Sequence, residues 1–117
     1  MRRTFVVAAA VCALTACQQR GRSLYAWGSY EDSVWSLTHA EGAADVDAQI
    51  DSLTQTVERA RQEGRAIPPG MHAHLGLLYS MRGELDTARA AFESERELYP
   101  ESTTFIDGLI ERMGARP

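Results

Sequence analysis

The sequence predicts an all-α domain, built from short helical hairpins and closed by a C-terminal capping helix. Three observations predict it. Apolar residues recur at helical spacing in three windows: Val46 to Ala60, Met71 to Tyr99, and Phe105 to Met113. Gly64, Gly83 and Pro100 fall where those patterns stop, and glycine and proline are the residues that end helices. The 117 residues leave room for one small domain.

The first residues stand apart from that domain. Arg2 and Arg3 form a basic start, and Phe5 to Leu14 is a short apolar run, too short to span a bilayer as a helix. Leu14-Thr15-Ala16-Cys17 follows and resembles a bacterial lipobox. The resemblance implies cleavage before Cys17, lipid on its sulfur and on the new amino group, and attachment to the membrane through that lipid. The expected organisation is a leader over 1–16, a lipidated tether over 17–23 and a single helical domain over 24–117. By resemblance to enterobacterial lipoproteins, Gln18 rather than Asp after the cysteine points to the outer membrane, periplasmic face, over the inner membrane. Cys12 lies in the leader, so once Cys17 is lipidated no thiol remains for a disulfide or a metal site within one chain.

Beyond the leader the chain carries ten basic groups against 16 acidic ones. That balance argues against nucleic acid as a partner, which needs a basic footprint, and against docking on anionic lipid by charge alone. Residues 18–23 are polar and read as the tether. Tyr25, Trp27, Tyr30 and Trp35 then place four aromatics within eleven residues. We read most of them as core, with one of Trp27 and Tyr30 part-exposed. The alternative is a stacking platform for a peptide, a glycan or a partner lipoprotein.

A short helix is expected from Glu31 to about His39, with Val34, Trp35 and Leu37 apolar, and a loop at Gly42-Ala43-Ala44. Asp45 can cap the next helix, whose face Val46, Ile50, Leu53, Val57 and Ala60 steps by four and three until Gly64. Pro68 and Pro69 suit entry into a helix rather than continuation of one. Met71, Leu75 and Leu78 line one helix, and Leu85, Ala88, Phe92 and Tyr99 the next. Gly76 and Ala88 let the two backbones approach. Ser102 is a natural N-cap for a last amphipathic helix carrying Phe105, Ile106, Leu109, Ile110 and Met113, and residues 114–117 read as a frayed tail.

Within this pattern, Leu75, Gly76, Tyr79, Gly83, Ala88, Phe92 and Pro100 have the spacing of one tetratricopeptide repeat, and residues 69–100 resemble that family. His72 stands where a tryptophan is usual and Glu95 where an alanine is usual. The hairpin before Gly64 reads as a degenerate repeat. In tetratricopeptide proteins the first helix of each repeat lines the concave face. The resemblance therefore implies a partner groove at Ala73, Leu77, Ser80 and Met81.

No catalytic constellation stands out, so no enzyme activity, cofactor or metal is expected. His72 and His74 are two apart and point to different helix faces. Glu93, Glu95 and Glu97 read as a solvated run. No glycine-rich phosphate loop precedes a helix.

The YAWGSY stretch behind Cys17, the IPPG entry at 67–70 and the YPES exit at 99–102 occur together. Together they resemble a family of small uncharacterised outer-membrane lipoproteins of Gram-negative bacteria, a domain of unknown function. Members are usually encoded beside a lipoprotein resembling the curli secretion channel and a second small lipoprotein. The resemblance implies neighbouring outer-membrane lipoproteins as partners. The function expected is a non-catalytic, periplasmic-facing adaptor or assembly factor for a lipoprotein complex. The alternative is a cell-wall glycan-binding lipoprotein using the Tyr25–Trp35 cluster. Cys17→Ser is expected to abolish palmitate labelling and release the protein from membranes. A mutant that still labels and sediments contradicts the lipobox reading.

Overall fold

A computed structural model describes residues 23–39 and 45–115. The leader expected over 1–16, Cys17, the expected tether up to residue 22, the loop expected at Gly42 to Ala44, and Arg116 and Pro117 lie outside the described residues. Among those described are five α-helices: α1 (Tyr30–His39), α2 (Val46–Glu63), α3 (Met71–Met81), α4 (Leu85–Leu98) and α5 (Thr103–Gly114). A single 3-10 turn, Pro100–Ser102, joins α4 to α5. Extended pairing among the described residues is one isolated parallel bridge, between Tyr25 and Ala66. The chain is all-α.

The helix limits follow from local chemistry. Asp45 accepts the Ala48 amide at 3.0 Å and starts α2, satisfying one of the free donors of its first turn. Gly64, at φ 62°, ends α2: its amide reaches Arg61 O and the Arg65 amide reaches Ala60 O. The α3–α4 turn repeats the device. Gly83, at φ 83°, sends its amide to Ser80 O at 3.2 Å, and the Glu84 amide returns to Tyr79 O at 3.0 Å.

Two apolar clusters hold the helices together. Ile50 and Leu53 of α2 meet Leu75 and Leu78 of α3, with Tyr30 and Leu37 of α1 packed on them. Ala73, Ala88, Phe92, Ile106 and Met113 form the second, which locks α5 onto the α3–α4 pair. Tyr79 touches both. Helices α3 and α4 pack most closely of all. Gly76 makes that possible, because a Cβ there would sit 2.5 Å from Cε1 of Phe92.

Several expectations need correcting. Leu85 and Phe105 are exposed. Ile106, Leu109, Ile110 and Met113 form the covered face of α5, and Phe105 sits about 100° round the helix from Ile106. Ser102 does not cap α5; its hydroxyl donates to Tyr99 O, and the 3-10 turn runs straight into the helix. Gly114 belongs to α5 rather than to a tail. None of the four aromatics between Tyr25 and Trp35 is fully buried; Ala26 and Ser33 are. Trp27 stacks on Tyr30 and Tyr25 meets Trp27 edge-on. Trp35 is 64% exposed, because Tyr30, Ser33 and Leu37 turn the opposite side of α1 inward. It lies flat on His39, with ring centroids 3.6 Å apart.

Gly76→Ala forces the new methyl into the Phe92 ring and is expected to cost about 1–3 kcal/mol. Phe92→Ala, which empties the centre of the second cluster, is expected to cost about 3–5 kcal/mol. Thermal denaturation checks both, and an unmoved melting temperature in either variant contradicts this packing.

Candidate partner groove

The groove depends on how α3 is held. Its first turn, Gly70-Met71-His72, contains no Ser, Thr, Asp or Asn to cap it, and Gly70 at φ 89° makes no side-chain cap. The amides at a helix start still require acceptors. Glu95 supplies them from α4. One carboxylate oxygen accepts the Gly70 amide at 2.6 Å, and the other accepts the His72 and Ala73 amides at 3.1 and 3.3 Å. The residue is 2% exposed. Its negative charge also faces the positive end of the helix dipole. The solvated run expected at Glu93, Glu95 and Glu97 is therefore interrupted: Glu97 is exposed, Glu93 half-buried, and Glu95 is a structural anion.

The turn before α3 is tied from other directions as well. Pro68 is buried, and the Tyr99 hydroxyl donates to Ile67 O. The Ala26 amide donates to Ala66 O at 2.9 Å, and the Arg65 guanidinium to Tyr25 O at 2.6 Å. Burial first, and the Glu95 charge second, push the Tyr30 phenol above its ordinary value. Burial lowers His72, with Glu95 opposing and Arg61 adding to the effect. Burial alone lowers His74, whose Nε2 is buried without a partner and whose ring meets Tyr30 edge-on at 5.8 Å.

With α3 fixed, α5 leaves an open cleft of about 180 Å³ beside it, lined by Leu77, Ser80, Phe92, Leu109, Arg112 and Met113. Two residues expected at a groove, Leu77 and Ser80, line this one. Leu77 is 37% exposed and Met81, one turn further on, 57%. Ala73 is a correction: it is buried in the second cluster, because Ile106 and Met113 of α5 cover it. The Ser80 hydroxyl donates to Leu77 O at 2.7 Å. Arg112 folds back along α5 toward Gly108.

Leu75 is buried in the first cluster, Ala88 and Phe92 in the second, and Gly76 against Phe92; Tyr79 touches both clusters, Gly83 makes the turn, and Pro100 opens the 3-10 turn. Sequence reading missed Glu95 and the α5 wall of the groove. Glu95 was findable: it continues the stripe Ala88, Phe92, Tyr99 at helical spacing, opposite a helix start with no cap of its own. Among the described residues no group of three or more His, Cys, Asp or Glu could hold a metal ion, and no helix is long and apolar enough to cross a membrane.

These features define a small all-α domain, stapled by a buried carboxylate and open along one apolar face. Residues 24–109 match the family described as Domain of unknown function (DUF4810), and the chain belongs to that family. No curated protein and no solved structure matches the chain.

The lowered His74 has a consequence for stability. The unfolded chain takes up a proton near 6.5, the ordinary value, while the folded ring resists it to lower pH. Stability is therefore full above pH 6.5 and falls as the pH drops from there through the lowered folded value. Chemical denaturation at pH 7 and pH 5 is expected to show this loss, and His74→Leu to reduce it. An equal loss in wild type and variant contradicts a role for His74.

Proposed function

We propose that this protein is a lipid-anchored, non-catalytic adaptor at the outer membrane, facing the periplasm. It holds or stabilises an assembly of neighbouring lipoproteins through the α3–α5 groove. The observation that carries the reading is the apolar cleft itself, with Leu77 and Met81 left uncovered along α3. An exposed apolar surface bordered by polar groups is the usual mark of an interaction site. Met81 adds adaptability, since its flexible thioether moulds to a partner's shape.

The anchor rests on Leu14-Thr15-Ala16-Cys17, and the assembly role on the resemblance of YAWGSY, IPPG and YPES to the lipoprotein family. Residues 69–100 act as one tetratricopeptide-type repeat in this proposal. Its support is the close fit of Gly76 against Phe92 and the glycine-closed turn at Gly83. In that reading α3 and α5 are the groove-facing helices, and α5 doubles as the cap.

A second reading draws on one observation. Trp35 is exposed and stacked flat on His39, which is the form of a platform for a sugar ring. Sedimentation with purified cell-wall sacculi separates the readings, since only the glycan-binding one predicts retention that Trp35→Ala abolishes.

For the groove, Leu77→Glu with Met81→Glu is expected to leave a helical, membrane-attached protein that no longer co-purifies with its lipoprotein partners. Circular dichroism verifies that the variant is folded. A folded double variant that keeps every partner contradicts the adaptor role of this face.

A further inference from the structure

We propose that the α3–α5 groove takes a protein segment carrying one large apolar side chain beside a carboxylate, with Arg112 as the carboxylate's partner. The inference rests on the groove being the binding face and adds the chemistry of what it binds. The cleft is small and lined mainly by carbon: Leu77, Phe92, Leu109 and Met113 offer no strong hydrogen-bonding group from their side chains. It suits a single aliphatic or aromatic side chain rather than a polar ligand, which would lose its water without replacement.

Two side chains in the lining are polar. Ser80 already gives its proton to Leu77 O. Arg112 is the one charged residue in the lining. Among the described residues, ion pairs engage Arg61, Arg65, Arg82 and Arg96, and none engages Arg112. The acid next to it in sequence, Glu111, lines a separate cleft with Arg89, Glu93, Arg96 and Asp107. The groove thus presents, at the edge of an apolar slot, a guanidinium that no described residue engages in an ion pair, in a chain that is acidic overall. A guanidinium fork matches a carboxylate in two parallel hydrogen bonds, so the complementary occupant is acidic next to its apolar anchor. A basic segment would find no carboxylate in the lining to meet it.

A random peptide pool selected on the full chain in detergent tests this. The enriched peptides are expected to pair Leu, Ile, Met or Phe with a nearby Asp or Glu. A synthetic copy of the strongest peptide is expected to bind Arg112→Gln about fivefold more weakly, the scale of one partly exposed charge pair. The same peptide with its acid changed to the amide should bind wild type and Arg112→Gln alike. Apolar peptides without an acid that Leu77→Glu abolishes would overturn the role of Arg112 while leaving the groove standing. Peptides indifferent to Leu77→Glu, or no enrichment at all, would overturn the inference and count against the groove as well.

Discussion

The structure depends on one carboxylate. Glu95 sits almost wholly out of water and spends both oxygens on three backbone amides at the start of another helix, its N-cap Gly70 included. Burying an anion is costly unless it is hydrogen-bonded, and here the uncapped start of α3 supplies the donors. Each element remedies the other's defect. Helix α3 has amides without local acceptors, and α4 has a charge without solvent. A buried donor left without its acceptor costs about 1–3 kcal/mol, which is large for a domain of this size. The result is a fixed joint between α3 and α4, at the opposite end of the hairpin from the Gly83 turn.

That joint determines what the rest of the chain can do. The turn over residues 65–70 is held by Glu95 of α4, by Tyr99 just past the end of α4, and by Tyr25 and Ala26 from the N-terminal segment. The aromatic stretch is thereby strapped to the hairpin by its backbone, and its rings are left part-exposed. Further along, the close fit of Phe92 against Gly76 sets the spacing of α3 and α4. Helix α5 then covers Ala73 but stops short of Leu77, and the groove is the space it leaves. An open face on a rigid pair of helices is a natural place for a partner, since little ordering is left to be done when one binds.

Much of this architecture was legible in the sequence. Asp45, Gly64 and Gly83 mark helix limits by local chemistry, and local chemistry survives folding unchanged. The apolar stripes at Ile50 and Leu53, Leu75 and Leu78, and Ala88 and Phe92 became core because their spacing matches the helix period. What was not legible depended on which elements meet. The helical spacing of Glu95 with Ala88, Phe92 and Tyr99 was legible, but the amides that its charge meets were not, because they lie at the start of α3. Trp35 has the size of a core residue, yet Ser33 and Leu37 decide which side of α1 turns inward. Ala73 and Leu77 occupy one face of α3, and the extent of α5 alone separates the buried one from the exposed one. Arg112 carries no sequence signal; its place beside an apolar slot emerges when α5 docks.

The most direct test of this account is amide hydrogen exchange at Gly70, His72 and Ala73. Amides bonded to a buried carboxylate should exchange only when the whole domain unfolds, as slowly as the core of α4. In Glu95→Gln, which keeps the shape but removes the charge and one acceptor oxygen, the same three amides should exchange faster than the α4 core. Exchange at those amides in the wild type as fast as in an exposed loop would contradict the claim that Glu95 staples the domain.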